Sequence, residues 1–257
     1  MILWGQQYLE DSNVYFGHGT DNALDEAAWL VSHAVGLAPT FGDAELEQVL
    51  TPAQLAEVRA LLTRRVQERL PAAYLTHEAW FAGHRFYVDE RVLVPRSPMA
   101  ELILDGFEPW VDSTQLKRVL DLCTGSGCIA IATALALPQV MVDATDISPG
   151  ALEVARRNVA DYELAQRVEV IESNLFDALQ GKRYDLIVSN PPYVDAQDMA
   201  ALPEEYRREP RMGLSAGKEG LDLVIPMLQQ AVEYLNPGGV MIVEVGNSAE
   251  ALQTCFP

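Results

Sequence analysis

Basic residues, cysteines and long apolar runs are all scarce in this sequence. Its 257 residues include 18 Lys and Arg against 37 Asp and Glu, which gives a formal net charge of -19. A surface of this sign repels phosphate backbones, so we predict no stable nucleic-acid binding. The longest apolar run, residues 128–138, is well short of the roughly twenty residues that a membrane-spanning helix needs. We therefore expect a cytoplasmic protein without a membrane segment. Its acidity is suited to a basic partner, and a contribution to solubility alone is the alternative.

The three cysteines also exclude two classes of site. Cys123, Cys128 and Cys255 are an odd number and lack the paired spacing of a disulfide framework. No nearby histidine completes a zinc ligand set around Cys123 and Cys128. We predict no metal site and expect the thiols to be small buried groups.

The first third of the chain has helical periodicity. Residues 24–31 carry apolar side chains at helical spacing, with Asp21 as the predicted N-cap. A second helix is predicted from Pro52 to Leu70, with Thr51 as its N-cap and an apolar stripe facing inward. We predict a helical domain over residues 1–73.

The period then shortens towards that of a β-strand. Apolar and aromatic side chains are concentrated in three short runs, at residues 79–81, 85–88 and 92–94. Turn residues lie between them, at positions 83–84 and 89–90. We predict a β-hairpin linker over residues 74–95.

From about residue 117 the pattern alternates between strand and helix. Five strands are predicted at residues 118–122, 141–146, 168–171, 185–189 and 240–245, and three helices at residues 128–136, 149–161 and 221–235. Ser148 and Pro149 predict a helix start, and Pro237-Gly238-Gly239 is predicted to separate the last helix from its strand. Such alternation predicts an α/β domain with a parallel sheet and helices on both faces.

A strand, a glycine loop and a helix follow one another at residues 119–128. The spacing of Gly125 and Gly127 fits a dinucleotide-binding loop loosely, and Asp146, after the next strand, suits a ribose hydroxyl. Asp121, however, adds a carboxylate that would repel a pyrophosphate and attract a cationic ligand. The two acids together favour S-adenosylmethionine over a dinucleotide.

The third predicted strand leads into residues 172–176, which are positioned to flank an adenine ring. Asn174 can accept a hydrogen bond from the adenine amino group through its side-chain oxygen. A plain loop without a binding role is the alternative.

The run Asn190-Pro191-Pro192-Tyr193 directly follows the fourth predicted strand. A planar –NH2 group is a poor nucleophile, and its nitrogen becomes more positive as it attacks a methyl group. The Asn190 side-chain oxygen and the Pro191 carbonyl can accept both of its hydrogens and bind them more strongly as charge develops. Pro192 stiffens the turn, and Tyr193 supplies a flat face for a planar group. The motif predicts methylation of an amide or amino nitrogen, and a purely structural turn is the alternative.

Three further stretches, at residues 15–22, 94–103 and 121–130, extend a family resemblance over nearly the whole chain. With the Asn-Pro-Pro-Tyr run, they resemble the protein-glutamine N5-methyltransferase family, which shares that run with amino-group DNA methyltransferases. The branch that acts on ribosomal protein L-three is the most similar. The release-factor branch has Thr before the Glu, where this chain has Ala100 before Glu101.

The resemblance implies a Rossmann-like class I S-adenosylmethionine-dependent methyltransferase domain at residues 96–257, after a substrate-recognition domain and the linker. It implies catalytic roles for Asn190, Pro191 and Tyr193, which with Pro192 would bind the substrate glutamine. Because the family continues into two more strands, we expect the C-terminal strands to be missing here. The implied cofactor contacts are Asp121, Leu122, Cys123, Thr124, Gly125, Gly127, Asp146, Ile147, Asn174, Leu175 and Asn190.

The activity implied is methyl transfer from S-adenosylmethionine to the N5 atom of a glutamine in ribosomal protein L-three, with S-adenosylhomocysteine as the other product. The alternatives are release-factor methylation, DNA or RNA amino-group methylation, and an assembly factor that only binds the ribosomal protein. The acidic charge favours a basic substrate that is free or in early assembly. The family also keeps Glu209-Pro210, in a loop expected either to cover the site or to have a structural role.

Overall fold

The computed structural model describes residues 1–37, 42 and 47–256, which form two compact units. The first, the helical unit, consists of Met1–Ala79 with Pro203–Arg208, and the second, the sheet unit, of Trp80–Leu202 with Glu209–Pro257. Part of the predicted helical domain, at residues 38–41 and 43–46, lies outside the described residues. Within the described part of the chain, no helix is both long and apolar enough to cross a bilayer.

Four helices of the helical unit lie within the described residues, and they pack on one apolar cluster. Leu9, Ala27, Leu30, Val58 and Leu62 lie in this cluster and are completely or almost completely buried. Burial of such side chains supplies most of the stabilisation of short helices. The helices are α1 Ile2–Asp11, α2 Ala23–Val35, α3 Pro52–Gln67 and α4 Ala72–Thr76.

The helix starts test the predicted caps. At α3 the prediction is confirmed, because the Thr51 side chain accepts from the Gln54 amide and the Gln54 side chain accepts from the Thr51 amide. At α2 the predicted cap was wrong by one residue. Asn22, in an extended conformation, accepts from the Asp25 amide at 2.9 Å. The helix α3 also ends earlier than predicted, at Gln67.

The inner face of α3 carries a charge that the apolar stripe did not predict. The Arg65 side chain is 1% exposed and donates to Glu26 at 2.7 Å, to Glu205 at 3.3 Å and to the Tyr15 carbonyl at 2.7 Å. Arg69 donates to the same oxygen of Glu205. These bonds satisfy a buried guanidinium with two carboxylates, which is the arrangement that buried charges need.

The predicted linker contains a two-stranded sheet, shorter than expected. It consists of β1 Ala79–Phe81 and β2 His84–Phe86, joined by a turn at residues 82–83. The run at residues 92–94 is not a strand, although Val92 and Val94 are buried. The strand prediction for this run was wrong, because alternate apolar side chains can also be buried from a segment of irregular backbone.

A five-stranded parallel sheet is the frame of the sheet unit, and it confirms the predicted fold class. The strands lie in the order β5-β4-β3-β6-β7. The chain therefore adds β4 and β5 on one side of β3 and β6 and β7 on the other, and the strand order switches between β3 and β6. Ligands of open parallel sheets bind at the carboxyl ends of the strands at such a point. The strands are β3 Arg118–Leu122, β4 Met141–Asp146, β5 Val168–Glu172, β6 Tyr184–Ser189 and β7 Leu235–Val243.

Both faces of this sheet are covered, as the continuous apolar character of its central strands requires. Val119 packs in the cluster that contains helix α6, whereas its neighbour Leu120 packs in the cluster that contains Met227 and Ala231 of α9. The helices of the unit are α5 Met99–Leu104, α6 Cys128–Ala136, α7 Pro149–Asp161, α8 Ala196–Ala201, α9 Val224–Tyr234 and α10 Ala249–Cys255.

The last strand begins earlier than predicted. Pro237-Gly238-Gly239, expected to separate helix from strand, lies inside β7. The register shows why, because Leu235 pairs with Tyr184 and Val240 with Leu186, so the residues between them bulge from the ladder.

Of the thiols, Cys128 is buried, Cys123 is half-buried and Cys255 is exposed, so the expectation for Cys255 was wrong.

Candidate active site

The glycine loop of residues 123–127 connects β3 to α6 and is held against the neighbouring strand β4. The Thr124 amide donates to the Thr145 carbonyl at 2.9 Å. The Gly125 amide donates to the Asp146 carboxylate at 2.9 Å. Gly125 has φ +55°, a conformation that glycine adopts without strain. The sequence-predicted loop and the acid after β4 are therefore directly joined.

Asp121, at the end of β3, lies beneath this loop with a fully buried side chain. One carboxylate oxygen accepts from the Thr124 hydroxyl at 2.5 Å and from the Ala130 amide at 3.1 Å. The other oxygen has no hydrogen-bond partner among the described residues. Burial raises the pKa of Asp121 to about 7, which the Thr124 and Ala130 bonds moderate and the charge of Asp146 increases.

The position of Asp121 qualifies its predicted role. The sequence predicts a carboxylate that attracts a cationic ligand, whereas the structure shows one that is covered and that holds the loop. Its unpartnered oxygen fits a cationic group, because a buried carboxylate gains most from a positive charge nearby. Direct contact between Asp121 and the cofactor stays a prediction.

Asp146 is half-buried at the end of β4, and both of its oxygens are oriented by backbone amides. One accepts from Gly125 and the other from Ser148, each at 2.9 Å. Burial raises the pKa of Asp146, and these amide bonds act in the opposite direction. A carboxylate oriented in this way still has lone pairs for a pair of ribose hydroxyls.

The turn after β5 lies beside Asp146, because the Ser173 amide donates to the Asp146 carbonyl at 3.0 Å. The Ser173 hydroxyl donates to the Leu175 carbonyl at 2.8 Å and so shapes the turn. Asn174 is exposed, Leu175 is half-buried, and Ile147 next to Asp146 is 52% exposed. Three loops with predicted cofactor residues thus meet at one edge of the sheet.

Two predicted cofactor residues differ from the rest. The Leu122 side chain is fully buried in the core, so only its backbone is available at the site. Cys123 has φ +60° and is half-buried, and burial raises the pKa of its thiol to about 12. A thiol with that pKa stays protonated and is a small packing group rather than a nucleophile.

The Asn-Pro-Pro-Tyr run leaves the sheet at the end of β6, next to the end of β3. Ser189 pairs with Leu122 in the ladder, and its hydroxyl donates to the Leu122 carbonyl at 2.7 Å. Pro191 is buried and Asn190 is half-buried. Among the described residues, neither the Asn190 side chain nor the Pro191 carbonyl takes part in a hydrogen bond. Two acceptors are therefore available beside the glycine loop.

Tyr193, in contrast, is held by several groups that the sequence did not predict. Its hydroxyl donates to Glu244 at 2.7 Å, and the Ser248 hydroxyl donates to its carbonyl at 3.2 Å. A Cβ atom at Gly246 would overlap the Tyr193 ring, and one at Gly220 would overlap the Tyr193 carbonyl oxygen. The only signal in the sequence was the position of Glu244, near the end of the fifth strand predicted at residues 240–245.

The loop after the motif is held by a backbone bridge near its start and by an ion pair further along the chain. Val194 forms a bridge with Ser215, and the Glu209 carboxylate accepts two bonds from the Arg96 guanidinium, at 2.7 and 2.8 Å. The Val94 amide donates to Glu209 as well. Glu209 therefore fixes the loop to residues 94–96, which is a structural role, and a role in covering the site stays a prediction.

Comparisons with known proteins agree with this geometry. The family model of the Methyltransferase small domain matches residues 101–205, and that of the PrmC N-terminal domain matches residues 1–76. In fold, the chain is similar to the hMettl16 catalytic domain solved in complex with a 3′UTR hairpin. The TM-score is 0.53 and the identity 18%, over 78% of this chain and 71% of that chain.

Curated relatives are much more similar in sequence. The ribosomal protein uL3 glutamine methyltransferase of Bordetella pertussis is 50% identical over 100% of this chain and 87% of its own length. The protein of that name from Xanthomonas campestris is 49% identical over 100% of this chain and 83% of its own length. For the one from Neisseria gonorrhoeae the identity is 48%, over 97% of this chain and 83% of the relative. The chain belongs to the family of ribosomal protein uL3 glutamine methyltransferases.

Proposed function

We propose that the protein transfers the methyl group of S-adenosylmethionine to the side-chain amide nitrogen of a glutamine in ribosomal protein uL3, the protein L-three. The observation that carries the chemistry is the pair of acceptors at Asn190 and Pro191, which have no hydrogen-bond partner in the described part of the chain and lie beside the glycine loop. The choice of substrate rests on relatives that share about half of their residues with this chain.

The two acceptors would bind the two hydrogens of the glutamine –NH2 group. As the nitrogen bonds to carbon it becomes more positive, its hydrogens become stronger donors, and both bonds strengthen. Asn190 and Pro191 thus stabilise the transition state more than the bound substrate, and no base is needed before methyl transfer. The proton leaves the nitrogen afterwards. Tyr193 would pack its ring on the planar amide and limit its rotation.

S-adenosylmethionine supplies an electrophilic methyl group on a sulfonium centre and leaves as S-adenosylhomocysteine. Asp146 is suited to its ribose hydroxyls, since backbone amides orient both carboxylate oxygens. Asn174 and Leu175 would flank the adenine, and the buried charge of Asp121 suits the cationic end of the molecule. The loop of residues 123–127 would provide backbone contacts.

The state of the substrate follows from charge. With a net charge of -19, the protein is attracted by a basic ribosomal protein and repelled by RNA. We infer that uL3 is modified when free or early in assembly. Equal methylation of mature large subunits and of free uL3 would contradict this.

The test is mass spectrometry of purified uL3 after incubation with the enzyme and S-adenosylmethionine, with release factor in a parallel reaction. The expected product is uL3 with one added methyl group on a glutamine, and unmodified release factor. Methylation of release factor alone would support the proposed reaction and contradict the choice of uL3 as the substrate. Absence of both products would overturn the proposal.

Two variants at one position test the mechanism. Asn190→Ala removes the acceptor, and we expect kcat to fall by about a hundredfold or more, as when a preorganised polar group is lost. Asn190→Asp is the matched control, because it keeps an acceptor oxygen of the same size and should retain much more activity. Calorimetry should show unchanged S-adenosylmethionine binding in Asn190→Ala. Full activity of Asn190→Ala would exclude the mechanism.

A further inference from the structure

The Glu244 carboxylate, directly after β7, accepts one hydrogen bond on each oxygen. Tyr193 donates its hydroxyl to one oxygen at 2.7 Å, and Ser97 donates its hydroxyl to the other at 2.6 Å. We propose that Glu244 and Ser97 are positioning residues that set the orientation of the Tyr193 ring in the substrate-binding motif. This inference rests on the proposed function, and it adds two residues outside the predicted site.

The backbone of Glu244 is held by a hydrogen bond to the neighbouring strand β6. The Glu244 amide donates to the Ser189 carbonyl at 3.0 Å and so continues the pairing of β6 with β7 by one residue. The residue that follows Ser189 is Asn190, so the same backbone segment carries the acceptor and is bonded to Glu244. The carboxylate therefore has a fixed position relative to the motif.

Ser97 fixes the other side of the carboxylate. Its hydroxyl oxygen accepts from the Met99 amide at 3.1 Å, at the start of α5, while its hydrogen points to Glu244. Ser97 is only 7% exposed, and Met99 is packed in the core. A carboxylate with both oxygens engaged cannot rotate without breaking a charge-assisted bond, and such bonds are about twice as strong as neutral ones.

The hydroxyl is the far end of the Tyr193 side chain, so bonding there fixes the direction of the axis through the ring. Rotation about this axis is limited by Gly246, which lies against one edge of the ring. The near end is confined too, because Gly246 lies against the ring and Gly220 and Ser248 lie against the carbonyl. With both ends held, the ring face has one orientation. Since Glu244 and Ser97 act through Tyr193, their effect on catalysis should disappear when the hydroxyl is removed.

A double-mutant cycle tests this dependence. We expect Glu244→Ala to lower kcat on uL3 by about tenfold, the cost of one hydrogen bond to a charged group. In a Tyr193→Phe background the same substitution should lower kcat by less than about twofold. Glu244→Gln keeps one acceptor and one donor for the two hydroxyls, so it should stay within about threefold of the wild type.

Glu250→Ala is the matched control, because Glu250 is exposed on α10 and its side chain has no hydrogen bond within the described chain. It should leave kcat unchanged. Calorimetric affinity for S-adenosylmethionine should be the same in all variants, and every variant should remain folded at the assay temperature, which separates positioning from loss of folding. Equal losses from Glu244→Ala with and without the Tyr193 hydroxyl would overturn the inference.

A crystal structure of Glu244→Ala gives a readout that does not need the substrate. We expect the Tyr193 ring to leave its wild-type orientation or to occupy more than one, while Asn190 stays in place. An unchanged, single ring orientation would overturn the inference even if uL3 proved not to be the substrate. Failure of the wild-type enzyme to methylate uL3 would instead count against the proposed function alone.

Discussion

Two buried carboxylate sites, one in the helical unit and one in the sheet unit, differ in the groups that balance their charge. In the helical unit, Glu26 and Glu205 share the guanidinium of Arg65. Burial raises the pKa of Glu205, but hydrogen bonds from the Tyr15 amide and Arg65 outweigh it and leave the pKa below its usual value. In the sheet unit, Asp121 receives only neutral donors, and burial raises its pKa to about 7.

This difference separates a structural charge from a functional one. A buried carboxylate with an arginine partner has its charge balanced within the fold, so removal of the arginine leaves the carboxylate without compensation. A buried carboxylate without a cation costs free energy whenever it is ionised, and a cationic ligand can reduce that cost. The position of Asp121 beneath the glycine loop agrees with the second case.

Removal of Arg65 should have the largest effect. Arg65→Met leaves two carboxylates buried without their partner, so we expect the free energy of unfolding to fall by about 3–5 kcal/mol in urea denaturation. Arg64→Met is the matched control one residue earlier, since its pair with Glu68 is exposed, at 51% and 47%. It should change the free energy by less than about 0.5 kcal/mol. Similar losses in both would show that the buried carboxylates do not depend on Arg65.

Removal of the Asp121 charge should act on binding rather than on folding. We expect Asp121→Asn to weaken S-adenosylmethionine binding by about tenfold or more in calorimetry, because the variant would lose the proposed attraction between a buried carboxylate and a cationic cofactor. Near pH 8 the variant should be at least as stable as the wild type. The control is Asp143→Asn, which breaks bonds from Tyr184, Arg118 and Lys182 on the next strand. It should lose stability and keep cofactor affinity, and the opposite result would refute our distinction.

A pH dependence of stability is also expected. The pKa of Asp121 is raised from 3.8 to about 7, so between these values the folded state keeps a proton that the unfolded chain releases. The contribution of this site to stability is therefore lost as pH rises from about 4 to about 7. Relative to Asp121→Asn, the wild type should become less stable from about pH 5 to about pH 8. Parallel pH profiles of the two proteins would show that Asp121 ionises normally.

Much of the sheet unit could be predicted because its signals are local. The bounds of β3, β4, α6 and α7 follow from apolar runs, glycine positions and the Ser148-Pro149 start, which depend on neighbouring residues. The start of β7 could not be predicted in this way, since a Pro-Gly-Gly segment is typical of a break and only pairing with β6 keeps it in the strand.

The missing parts of the site are long-range contacts. Ser97 and Glu244 are 147 residues apart, and Arg96 and Glu209 are 113 apart, so no local period connects them. Arg65 on the inner face of α3 was missed for the same reason, because its partner Glu205 is 140 residues away. The Asn-Pro-Pro-Tyr run was recognisable because its chemistry lies in four consecutive residues.

Gly220 has a consequence for how this protein tolerates mutation. The residue has φ +72°, and any side chain there would collide with the Tyr193 carbonyl and the Ser248 hydroxyl. Every substitution at position 220 thus displaces the motif, although Gly220 itself carries no reactive group. In a saturation screen for activity, it would be as intolerant as Asn190. The residues at which mutation impairs the site therefore include more than those that contact the substrate, and a list of contact residues alone would omit Gly220.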